Sequence, residues 1–428
     1  MSYRCRLAWS LVLIFPVYLQ AAELPENLGF DLLMSVVDEG VYTDAQLLKA
    51  EYAAIQSELL NVQGINDFNI SLEALAQYVE PSQVITDEVN DDHQLAIVMK
   101  KSLLDAGFSN NKEQSVNARI KSYKLLMQNM RLSKRIEAAR NFFDIKLADL
   151  KYTVDNEAIS TAYIKFNKTQ ERNALKQSSD VELLKAQFEY QQVRARRYES
   201  ETMQRITRAR LAESISRPKE LPAEVIVPEF SFINRKRPDY DDLLKRVLAN
   251  NLQLRLQQLQ VEAAAYELAA SRKQHGSALS TELEWREYSN ELPSRNNWRA
   301  AIKYSVPLYE NATAKSAVAK ALANLKKQQS VLIKLESQIR QQSLEVWQRI
   351  YVLKARQDID EVAEEYRELY QDRSRAYYEM EFRTDLGDSF VRVSEARLEK
   401  SNNYFELVIA WMKLAMLSGL TLEEYMQQ

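Results

Sequence analysis

Residues of the types that carry chemistry are few in this chain, and their spacing is poor. Its 428 residues include two histidines, His93 and His275, one in each half, and neither has a second ligand at metal-binding spacing. There is no G-x-x-x-x-G-K or G-x-G-x-x-G loop to cradle a phosphate. The single cysteine, Cys5, stands before an apolar run from Leu7 to Leu19. That run follows Arg4 and Arg6 and ends at the small residues Ala21 and Ala22, the pattern of a cleaved secretory signal over 1–22. The mature chain is then expected to contain no thiol, hence no disulfide and no cysteine nucleophile. With 60 acidic residues present, an acid pair on some helix face is unavoidable and carries no information. Neither a catalytic site nor a metal or other cofactor is expected, and a net charge of −3 gives no bulk attraction for nucleic acid.

Charged residues fall into a pattern only where they alternate with apolar ones. In F-N-I-S-L-E-A-L-A-Q-Y (68–78), Phe68, Ile70, Leu72, Ala74, Ala76 and Tyr78 oppose Asn69, Ser71, Glu73 and Gln77, with Leu75 the exception. From Leu279, the residues Leu279, Thr281, Leu283 and Trp285 oppose Ser280, Glu282, Glu284 and Arg286. From Trp298, the residues Trp298, Ala300, Ile302, Tyr304 and Val306 oppose Arg299, Ala301, Lys303 and Ser305, and Pro307 then ends the pattern. A period of two predicts strands with unlike faces. The expected strands lie near 66–79, 93–104, 278–289 and 297–307.

Long helices must position these strands. The chain has only seven Gly and nine Pro, and neither occurs in 108–217 or 308–386. Helices are expected near 44–63, 108–175, 180–216, 240–273, 308–386 and 389–418. Four prolines between Pro218 and Pro238 mark an extended linker. The order of elements repeats on either side, so the expected organisation is a first repeat over 23–217, a linker over 218–238, a second repeat over 239–420 and a tail over 421–428. The apolar stretch 405–420 carries Lys413 near its middle and is read as a buried helix end, not a membrane span.

A helix of about 70 residues is about 105 Å long, too long for a compact domain. Val318, Leu325, Leu332, Ile339, Val346 and Leu353 recur every seven residues, which predicts a supercoiled seam. The companion positions Ala321, Gln328, Leu335, Gln342 and Arg349 are too polar for a dry two-stranded rod, but they suit helices packed side by side around a wet interior. On each long helix, two shorter ones stacked end to end would match its length. Strands of about ten residues with one charged and one apolar face match membrane strands. Four cannot close a barrel, and an open edge is not viable in lipid, so several copies are required. A trimer would supply twelve strands and twelve helices per cross-section.

In this order of elements, S-V-P-L-Y-E-N-A-T-A-K-S-A-V-A-K-A (305–321) and S-L-L-D-A-G (102–107) resemble the strand-to-helix junctions of the TolC-like outer-membrane efflux proteins. The helix opening from Val247 and the segments E-L-L-K-A-Q (182–187) and R-V-S-E-A-R (392–397) resemble that family's helix start and tunnel-tip motifs. The resemblance spans essentially the whole mature length. It implies a mainly α-helical trimer, with an α-barrel in the periplasm and a β-barrel in outer-membrane lipid. Such a duct is passive and works with a periplasmic adaptor and an inner-membrane pump or ABC transporter, in drug efflux or type I secretion. It further implies that Pro307 and Gly107 mark the junctions and that Glu73, Glu282, Glu284, Arg286, Arg299 and Lys303 face the lumen. The turns at Ser178–Ser179 and Leu386–Gly387 would form the entrance, with Asp180, Glu182, Lys185, Asp385, Asp388, Arg392 and Glu395 as its charged residues. The sequence departs from the family in lacking the junction glycine pair, having Asp105–Ala106 and Glu310–Asn311, and in carrying a cation, Arg392, at an acidic tip position. A periplasmic coiled-coil scaffold or adaptor is the alternative; it explains the helices and the secretion signal but not the two-faced strands.

Overall fold

The computed structural model describes residues 27–40, 42–78, 91–289, 296–308, 312–380 and 387–427. The signal segment, Glu310, Asn311 and Asp385 lie outside them. The chain opens with β1 (Asn27–Gly29), α1 (Phe30–Glu39) and α2 (Thr43–Gln63). A hairpin of β2 (Asn69–Tyr78) and β3 (Asp91–Leu104) leads into α3 (Phe108–Ala174) and α4 (Asp180–Ser214). After β4 (Glu224–Ile226) come α5 (Tyr240–Asn250) and α6 (Leu252–Lys273), then the hairpin of β5 (Ala278–Tyr288) and β6 (Trp298–Ser305). The chain ends with α7 (Ala312–Glu379), α8 (Gly387–Leu417) and α9 (Leu422–Gln427). No described helix is long and apolar enough to cross a membrane.

The 67 residues of α3 extend about 100 Å. Shorter helices run antiparallel along it in two end-to-end stacks. On one side, Glu58 of α2 pairs with Arg119, while Glu189 of α4 pairs with Lys165. Where the two helices meet, the amide of Thr43 donates to the Ser216 hydroxyl at 3.3 Å. On the other side, Glu267 of α6 pairs with Lys112, and the Phe405 ring of α8 stacks on Phe143 at 4.5 Å. There Gly419 (φ +76°) lies so close to the Asn250 carbonyl that a Cβ would sit 2.5 Å from it. This position requires glycine for both reasons. The second long helix, α7, flanks α6 and α8, and the companion positions on its seam find polar partners. Gln328 accepts a hydrogen bond from Gln257 at 2.9 Å, and Arg349 lies 3.7 Å from Glu406.

The expected single helix over 240–273 is two helices. Asn251 adopts ψ 122° and ends α5; its side-chain oxygen then accepts from the amides of Gln253 and Leu254 to start α6. Its amide group donates to the Leu417 carbonyl at 2.9 Å, satisfying a C-terminal orphan of α8. Asn251→Ala removes the cap and leaves a buried carbonyl unpaired. A loss of about 1–3 kcal/mol of stability is expected, read as a lowered thermal midpoint.

The segment 218–238 is also more than a linker. Its β4 pairs in parallel with β1, and Val225 and Ile233 are buried. The tail adds α9, whose Leu422 and Tyr425 are buried as well. With α1 and α5 these pieces form a layer against one face of α3, α7 and α8, around Phe30, Phe142, Phe143, Phe230, Phe405 and Trp411. The 405–420 stretch lies in this core. Arg135 ties the layer to α3 through Asp38 of α1 and Glu423 of α9. The two halves of the chain therefore share one core, and they also share one sheet.

Candidate functional site

The sheet order is β2-β3-β5-β6, antiparallel throughout. The pairing sets Leu72, Ile97, Trp285 and Trp298 in one row, and Ile70, Met99, Leu283 and Ala300 in another. On the opposite face, Ser71, Val98, Glu284 and Arg299 form a row, flanked by Asn69, Lys100, Glu282 and Ala301. By the alternation of the pleat, Glu73, Glu282, Glu284, Arg286, Arg299 and Lys303 all share this second face. Glu284 pairs with Arg286 and lies 3.8 Å from Arg299, Glu73 lies 3.9 Å from Lys100, and Arg286 donates to Gln94 at 2.7 Å.

Exposure is inverted relative to a sheet that faces water on one side. Leu72 and Ile302 are 69% and 76% exposed, whereas Ala96, Val98 and Glu284 on the charged face are 2% exposed or less. The sheet curls around its charged face and presents a contiguous apolar face outward. Patches of this kind on a protein surface mark contact with lipid or with another protein. Among the described residues, both outer strands, β2 and β6, are left without a neighbour.

The junction from β3 to α3 turns on two consecutive left-handed residues. Ala106 (φ 56°) and Gly107 (φ 87°) are both left-handed, and the Asp105 carboxylate accepts from the amides of Gly107 and Ser109. At Ala106 the side chain costs about 1–2 kcal/mol that glycine would not. Pro307 is exposed beyond the end of β6, where a missing amide is harmless.

The charged residues assigned to the tunnel tip divide into two groups. At the α3–α4 turn, Glu182 completes a capping box with Ser179 and also accepts from Ser178 at 2.6 Å. The Asp180 carboxylate accepts from Asn173 at 3.0 Å, and Lys185 is exposed. On α8, Asp388 pairs with Arg392 at 3.7 Å, which offsets that cation locally. A Cβ on Gly387 would collide with Thr161, so α8 starts level with a point thirteen residues short of Ala174, the end of α3. The start of α8 thus lies roughly 20 Å from the α3 tip. Glu395 is farther up still, in a groove of about 630 Å³ with Asp144, Lys151, Met203, Arg210 and Glu399. The two histidines are exposed at opposite ends of the sheet, and no cluster of three metal-ligating side chains occurs among the described residues.

The helix pairs α3–α4 and α7–α8 are each held by a carboxylate pulled below the ordinary glutamate value of 4.5. Glu189 is held down by its 2.8 Å bond from Lys165, and Glu364 by Lys400 at 2.6 Å and then by Arg397. Folded values below the unfolded one mean that the contribution is complete above the ordinary value and lost as the pH falls through the folded values. Amide exchange in α4 and α8 should therefore speed up between about pH 5 and pH 3, relative to the core around Phe143. Unchanged relative protection would contradict this.

A row of antiparallel helices about 100 Å long, continuing into a four-stranded sheet with its apolar face bare, is the fold of the bacterial outer-membrane channels. Among solved structures, VceC of Vibrio cholerae is 15% identical, with a TM-score of 0.71 over 92% of this chain and 96% of that one. The CmeC channel of Campylobacter jejuni is 13% identical, with a TM-score of 0.72 over 95% and 92%. The open MtrE channel of Neisseria gonorrhoeae is 14% identical, with a TM-score of 0.68 over 92% and 89%. No protein-family model matches the chain, and no curated protein matches it by sequence.

Proposed function

We propose that three copies of this chain close into a passive exit duct through the outer membrane, with the helices extending into the periplasm. The inverted sheet carries this reading: in lipid the bare apolar face is satisfied, and the charged face lines water. β2 and β6 run in opposite directions, so β6 of one copy can pair with β2 of the next in the same antiparallel pattern. Two copies would give about eight strands, whose interior side chains fill. Three give twelve and leave a bore, from four strands per chain.

The helices support the same assembly. On α7, Val352, Ile359, Val362, Tyr366 and Leu369 form a second seam that is exposed among the described residues. At the other end of the row, α4 exposes Val181, Leu184, Phe188 and Tyr198 at similar spacing. Both faces suit knobs-into-holes contact with a neighbouring copy.

In this duct the two repeats, 23–217 and 239–420, each contribute two strands and one long helix. The six charged residues of the sheet face the lumen, and the tip residues Asp180, Glu182, Lys185, Asp388, Arg392 and Glu395 line the approach from the periplasm. Its partners are a periplasmic adaptor and an inner-membrane pump or ABC transporter, in tripartite efflux or type I secretion, and the duct itself catalyses nothing. The test is release of a trapped fluorescent dye from vesicles containing the purified protein. Release is expected, and vesicles that stay sealed with the protein correctly inserted would overturn the proposal.

A further inference from the structure

The layer formed by α1, α5, α9 and the β1–β4 pair covers one face of the helical row and leaves the other bare. In a closed assembly the covered face must lie outside, because three such layers inside would plug the bore. The bare face is legible as one stripe on each helix. On α3 it runs through Arg140, Asp144, Leu147 and Lys151, and on α8 through Glu395, Glu399, Asn402, Glu406 and Lys413, at intervals of three, four or seven.

At the end of this stripe farthest from the tip, three cations from three helices lie around one carboxylate. Arg140 of α3 and Arg349 of α7 each approach Glu406 at 3.7 Å, outside hydrogen-bond range. Burial, Arg140 and Arg349 hold the Lys413 ammonium below its ordinary value, and Glu406 alone acts the other way. Glu345, which lines a small cavity beside Lys413, has an oxygen occupied by the Gln341 amide at 2.8 Å. None of Arg140, Arg349 and Lys413 donates a hydrogen bond to a described residue; the two arginines are about half exposed, and Lys413 is exposed but partly desolvated. Three cations around Glu406, with Glu345 a second carboxylate beside Lys413, leave at least one positive charge per chain. Asp144 faces Arg140 first and then Arg210, so this carboxylate and the Arg210 guanidinium add one charge of each sign. Farther towards the tip the stripe turns acidic at Glu395 and Glu399.

We propose that Arg140, Arg349 and Lys413 form a cationic belt inside the tunnel that binds transiting solutes bearing phosphate, sulfonate or carboxylate groups. The inference rests on the duct reading, and it adds a cargo preference. Unspent donors on three side chains, converging from separate helices with little room to spread, match an oxyanion with several acceptor oxygens. Threefold repetition places such a group against an excess of positive charge in a confined bore, where field lines concentrate. The carboxylate of Glu406 positions the belt by holding both arginines near Lys413, and it also competes with the solute.

The belt is tested in planar bilayers with inorganic tripolyphosphate as a blocker added on the periplasmic side and spermine as a cation of similar length. Tripolyphosphate should block the wild-type current at far lower concentration than spermine. Lys413→Gln and Arg349→Gln should each raise the half-blocking concentration of tripolyphosphate about three- to tenfold, and Glu406→Gln should lower it. Trimer yield and helix content of each variant are measured in parallel, and variants that fail to assemble are replaced by Lys413→Met and Arg140→Gln. Equal block by both ions, or block that these substitutions leave unchanged, would overturn the belt while leaving the duct intact. Assembled wild-type protein that carried no current would instead overturn the duct reading, and the belt with it.

Discussion

Replacing Ile302 by arginine should nearly abolish assembled protein in the outer membrane. Ile302 is 76% exposed and lies mid-strand on the apolar face of β6. In water such a surface change is worth about ±0.5 kcal/mol. In lipid, an arginine near the midplane of a barrel strand costs about 2–4 kcal/mol, and three copies multiply that cost. Ala301→Arg, one residue away on the charged face, is the control and should be tolerated. The measurement is the fraction of each variant recovered from outer membranes as a heat-dissociable oligomer. Equal recovery of the two variants would mean that the apolar face does not meet lipid.

The second large effect is in the core. Phe143 stacks on Phe405 at 4.5 Å and on Phe30 at 5.7 Å, and meets Phe142 and Phe230 edge-on. These rings join α1, α3, α8 and the segment after β4, so they link the covering layer to the helical row. Phe143→Ala should cost about 3–5 kcal/mol per chain, because rings fixed by three other elements cannot collapse into the void. The thermal midpoint followed by circular dichroism should fall by several degrees. A loss under about 1 kcal/mol would show that the site relaxes and that the layer is not anchored there.

How far the sequence could be read depended on whether a signal was local. The Gly- and Pro-free window put α3 at 108–175, and it spans Phe108–Ala174. The alternation placed six charged residues of three strands on one face, and the pairing sets them there. The break at Asn251 was missed because the apolar period runs on through L-A-N-N-L-Q-L. The asparagine that caps α6 was the available clue. The three-residue strands β1 and β4 carry no periodicity and form only because the two segments meet. Nor did the sequence show that α8 starts well short of the α3 tip. That offset is set by contacts such as Gly387 against Thr161, more than 200 residues apart in the chain. The tip motifs revealed charge but not its use: Glu182 caps its own helix, and Arg392 pairs one turn back with Asp388.

In the proposed duct, β6 of one copy meets β2 of the next and three such contacts close the wall. Ser71 of β2 and Ala301, Lys303 and Ser305 of β6 lie on the same face of the sheet. The only natural cysteine, Cys5, lies in the expected signal segment. Chains carrying Ser71→Cys together with one of Ala301→Cys, Lys303→Cys or Ser305→Cys are oxidised in intact outer membranes and separated under denaturing conditions. One pairing should yield covalent dimers and trimers, no larger species, and monomers again on reduction. Chains that remain monomeric at every pairing, or a ladder that continues beyond three, would contradict it.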